Sequence, residues 1–66
     1  MKTKRSIADA CMRAAKLSAE YPDYTYYVMD KPRQKAVVHS VDWAVRQRIR
    51  EGWYIVAKYE NGKEVK

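Results

Sequence analysis

The sequence predicts an α+β fold: a two-layer sandwich in the order α-β-β-α-β, with a three-stranded antiparallel sheet and both helices on one face. Three observations point there. Residues 7–21 carry apolar side chains at helical spacing, and two runs rich in aromatic and β-branched residues flank a polar, proline-containing stretch at 30–35. A second, shorter helical pattern then separates these runs from a third apolar run at 53–59. A hairpin, a crossover helix and a further strand satisfy the connection rules most simply when the first strand lies in the centre.

The first helix is expected from Ile7 to Tyr21. Ser6 followed by Asp9 resembles a capping box with the shorter acid. Ile7, Cys11, Ala14, Leu17 and Tyr21 form the apolar stripe, with Ser18 beside it, while Asp9, Arg13, Lys16 and Glu20 fall opposite. Five alanines within 8–19 raise helix propensity. Pro22 ends the element, because the residue before proline is pushed out of the helical region.

The hairpin pairs Tyr24–Met29 with Ala36–His39 across a turn containing Pro32. Ser40 is expected to cap a helix over Val41–Glu51, with Val41, Ala44, Val45 and Ile49 inward and Arg48 along their edge. Gly52 is placed to close it. Trp53–Tyr59 reads as the last strand. Asn61-Gly62 is a strong hairpin signal and leaves room for a brief fourth strand over Lys63 to Val65.

Sixty-six residues form one domain, residues 1–66, with mobility expected only in the first five residues and Lys66. The single Cys11 leaves no partner for an internal disulfide, and one cysteine with one histidine falls short of a four-ligand zinc site, so neither metal nor cofactor is expected. No apolar run approaches the ~20 residues of a membrane span. Asp9, Arg13 and Lys16 interrupt what could be the apolar core of a secretory signal, so a cytoplasmic location is expected.

Fourteen Lys and Arg against eight Asp and Glu give a net charge of +6 and a pI near 9.6, a balance that suits nucleic acid or another acidic partner. The two halves of the chain carry equal shares of it, so no basic tail exists.

Strand alternation in the favoured register puts Tyr27, Val37, His39, Tyr54, Val56 and Lys58 on an open sheet face, with Lys35 nearby. Val28, Val38, Trp53, Ile55 and Ala57 then turn toward the helices. On helix two, Trp43, Arg46 and Arg50 share the outward face, a combination enriched at binding hot spots. His39 is the only candidate general base near neutral pH, and no nucleophile or orienting acid accompanies it.

The expectation is a non-enzymatic binding module. It docks a protein partner, or a second copy of itself, through Trp43, Arg46, Arg50, Tyr27 and Tyr54. The alternative is single-stranded nucleic acid stacked on Tyr27 and Tyr54, with Arg33, Lys35, His39 and Lys58 adding to the basic surface.

Overall fold

In the computed structural model, which describes residues 2–65 and their side chains from Ser6 onward, the chain runs α1 (Lys2–Glu20), β1 (Tyr26–Asp30), β2 (Val37–His39), α2 (Asp42–Arg50), β3 (Tyr54–Glu60) and β4 (Lys63–Glu64). The fold is α+β, with two helices on an open antiparallel sheet of order β2-β1-β3-β4. β1 lies inside as expected. The Asn61-Gly62 turn does produce a fourth strand, so the sheet has four strands rather than three. Met1 and Lys66, expected to be mobile, lie outside the described residues.

α1 starts at Lys2, well before Ile7, so Ser6 is not its cap. Its hydroxyl instead accepts a hydrogen bond from the Ala36 amide at 2.7 Å, which joins the helix to the entrance of β2. Ala10, Ala14 and Ser18, four residues apart, are completely buried. These small side chains bring the helix axis close to the sheet. Ile7, Cys11 and Leu17 flank them and pack against Tyr26, Val28, Val38, Ala57 and Tyr59. Near the other end, the Ser18 hydroxyl donates to the Ala15 carbonyl at 3.1 Å and accepts from the Gly62 amide at 2.9 Å. Gly62 has φ +82, and a Cβ there would stand 3.0 Å from that of Ala19, so glycine is required on both grounds.

The two helices do not share a face. α1 packs on Tyr26, Val28 and Val38, whereas Val45 of α2 packs with Met29 and Trp53, and Tyr27 and Val37 join that second cluster. Adjacent strand residues point to opposite sides, so α2 lies on the reverse of the sheet. The reason is space: a 19-residue helix is about 28 Å long, and α1 contacts all four strands. The crossover from β2 to the parallel β3 therefore passes over the other side, where α2 rests against β2.

A β-bulge makes a second correction. Val28 pairs with Ala57, but Met29 pairs with Ile55, so Val56 is an extra residue in β3. Beyond it the alternation changes phase. Ile55 therefore joins the Met29 side rather than facing α1, and Tyr54 lies opposite Asp30 instead of sharing a face with Tyr27. Trp53, as expected, packs toward a helix, but that helix is α2.

Two turns frame this end of the sheet. Lys31–Gln34 is a β-turn closed by the Gln34 amide on the Lys31 carbonyl at 3.0 Å, with Pro32 at its first corner and Arg33 at φ +69 in its second. The second corner is one that glycine usually fills, and a side chain there costs about 1 kcal/mol. After α2, Gly52 (φ +100) and Trp53 form a Schellman cap: their amides donate to the Ile49 and Arg48 carbonyls at 3.1 and 2.9 Å. At the other end of α2 the N-cap is Val41, which makes no side-chain capping bond, so the expected Ser40 cap is absent.

Candidate interaction surface on helix α2

α2 is held by its inner face. Val45 is buried against Met29 and Trp53, and Ala44 and Arg48 are half-buried beside it. The Arg48 guanidinium lies over the Trp53 ring, 4.9 Å from its centroid. Its Nε–H donates to His39 Nε2 at 3.1 Å. One arginine thus ties β2, α2 and the start of β3 together. Sequence reasoning placed only its stem at the edge of an apolar stripe. The available signal was its position: residue C3 of a Schellman cap commonly touches residue C″, here the aromatic Trp53. Conversely, Val41 and Ile49, expected to face inward, are about half exposed.

Fixing this inner face determines what points outward. Trp43, Arg46 and Arg50, spaced i, i+3 and i+7, share the outer side. Trp43 is 72% exposed and does not fold back on a loop. Arg46 pairs along the helix with Asp42 at 3.1 Å, both side chains being exposed. Arg50 is exposed in the last turn.

The sheet candidates divide. Tyr27 pairs with His39 on one side and Lys58 on the other, so these three occupy the α2 side of the sheet. Tyr27 is half-buried against the Met29 cluster, and the Lys58 ammonium lies 3.9 Å from Glu60. Tyr54 belongs with Asp30 instead, donating its hydroxyl to Oδ2 at 3.0 Å. That bond raises its pKa, with burial and the nearby carboxylate charge adding to the effect. Tyr27 and Tyr54 therefore do not make one stacking platform, and the face once expected to be open is partly covered by α2. Asp30 is 1% exposed, and its Oδ1 has no hydrogen-bond partner among the described residues.

His39 has its pKa lowered, chiefly by burial and also by the Arg48 charge. Its Nε2 lone pair is used by Arg48, so the proton of the neutral ring sits on Nδ1. On the α1 side, Tyr59 is pushed up to about 12 by its hydrogen bond with Cys11, by burial and by nearby Glu64. Arg33 and Lys35 are exposed on the β1–β2 connection, away from Trp43 in sequence and in element.

Among the described residues no three His, Cys, Asp or Glu side chains gather closely enough to hold a metal, and no helix is long and apolar enough to cross a membrane. No family model, curated protein or solved structure matches the chain.

Proposed function

We propose that this protein is a non-enzymatic binding module that docks another protein through the outer face of α2. Trp43 is the anchor, and Arg46 and Arg50 are the polar contacts beside it. The observation that carries the reading is the exposure of Trp43 on a helix whose opposite face is pinned by Val45 and Arg48. Leaving an indole in water forgoes on the order of 2–3 kcal/mol of burial. Tryptophan and arginine are also the residues most enriched among those that dominate binding energy. The exposed Val41 and Ile49 supply apolar area on the same helix. A second copy of the chain is one form the partner takes under this reading.

The test is site-specific photocrosslinking in cells, with the photoreactive residue at position 43 and, as a control, at Lys16 on the exposed side of α1. A discrete adduct from position 43 alone supports the reading, and its mass separates a second copy from another protein. Adducts from both positions alike, or from neither, would sink it. Sedimentation velocity of the wild type and Trp43→Ala then reads self-association directly.

A further inference from the structure

The positive charge is shared equally between the two halves of the sequence but not between the two ends of the fold. β1 ends at Asp30, and the connection that follows places Lys31, Arg33 and Lys35 within five residues that hold no acid. α2 finishes at the same end. A Cβ on Gly52 would meet the Lys31 side chain at 3.5 Å, so Lys31 lies along the turn that follows Arg50. α1 begins there too, because Ser6 is bonded to Ala36. Two acids stand nearby: Asp30 is buried and bonded to Tyr54, and Glu51, exposed after Arg50, accepts from Gln47 Nε2 at 3.2 Å. The opposite end, where Tyr26 pairs with Tyr59 and α2 starts, carries Glu20, Asp23, Asp42, Glu60 and Glu64, against Arg46, Lys58 and Lys63.

Arg33 adds a second, independent observation. It occupies the left-handed second corner of the turn, at φ +69, where glycine would sit without strain. Strain held in an exposed turn is often associated with a functional side chain. Apart from Pro32, the stretch 31–35 has no side chain suited to an apolar anchor. A surface of cations without an apolar centre suits a partner of regularly spaced negative charge rather than a protein interface.

We propose that this basic end, formed by Lys31, Arg33 and Lys35, binds the phosphate backbone of a nucleic acid. The site is distinct from the Trp43 anchor. Neutralised phosphates release counterions, so affinity depends on salt with a slope of about −0.9 per contact on duplex DNA. Three side chains give a slope of about −2.7.

Fluorescence anisotropy of a labelled DNA duplex, titrated with the full chain between about 50 and 200 mM salt, measures this slope. Arg33→Gly removes the guanidinium and the backbone strain together. The expected result is a slope shallower by about 0.9 accompanied by a higher Tm, so weaker binding cannot be ascribed to unfolding. Lys35→Ala should lose a similar increment. Lys16→Ala removes the same charge from α1 and should leave the slope unchanged, as should Trp43→Ala, which separates this site from the protein-docking face. No binding at the lower salt overturns the proposal. So does a Lys16→Ala effect equal to that of Arg33→Gly, since net charge alone would then account for the affinity.

Discussion

The two sides of the sheet are packed by different means. On one, α1 lies close because its contact line is Ala10, Ala14 and Ser18, and the apolar cluster extends across β1, β2 and β3. On the other, α2 covers the β2 side with a smaller cluster of Met29, Val45 and Trp53, and Arg48 bridges its flank. The first side gains stability from backbone proximity and area. The second relies on a few large side chains and one cation, and leaves Ile55 of β3 about half exposed. A helix held by so few groups is the one that presents an unburied tryptophan.

Mutations can test this contrast, taken here in order of expected effect. Met29→Ala empties the centre of the smaller cluster and should cost about 3 kcal/mol in urea denaturation. A cost below about 1 kcal/mol would mean that α2 closes over the gap and its cluster is already loose. Ala14→Leu overfills the closest approach of α1 and should cost about 2 kcal/mol. If it is tolerated freely, the small-residue line is not what sets the helix-to-sheet distance. Ser18→Ala strands the Gly62 amide and should cost about 1 kcal/mol, with local hydrogen exchange at Gly62 rising more than at Val28. Trp43→Ala should change stability by less than about 0.5 kcal/mol, because most of its side chain is exposed.

The two sides also have opposite pH limits. His39, with a lowered pKa, takes up its proton more readily when unfolded. Its contribution is intact above the ordinary value of 6.5 and declines as pH falls from there through the folded value. Tyr59 behaves in the reverse sense. Its contribution is intact below 10 and is lost as pH rises from 10 toward about 12. Trp53 fluorescence in a Trp43→Phe background should report the acid change, and His39→Gln should flatten that limb alone. An acid limb unchanged by His39→Gln would show that the Arg48 bond does not govern it.

Much of this architecture was legible in the sequence. Helical spacing located α1 and α2, Pro22 and Gly52 marked their ends, and Asn61-Gly62 announced the fourth strand. The expectation of both helices on one face was overturned, although the run Tyr26–Met29 is apolar or aromatic at every position rather than alternating. Such a run indicates a strand buried on both sides. Three features had no local signal. A serine before a helical pattern reads as a cap, yet Ser6 bonds a residue 30 positions away. The bulge at Val56 changes the phase of β3 with no glycine to mark it. The gathering of cations at one end follows from chain direction in space, which equal charge in the two halves conceals. Of the site residues, the face shared by Trp43, Arg46 and Arg50 was readable from spacing, whereas the separation of Tyr27 from Tyr54 depended on the bulge.

The two serine hydroxyls of α1 have a mechanical consequence. Ser6 fastens the helix to the residue that leads into edge strand β2, and Ser18 fastens it to the turn that leads into edge strand β4. The fastening points are twelve residues apart, about 18 Å of rigid rod. α1 is thus a diagonal brace across a flexible frame. It resists shear between the two outer strands, holds the twist of the sheet at one value, and keeps either edge from peeling away while the other stays in place.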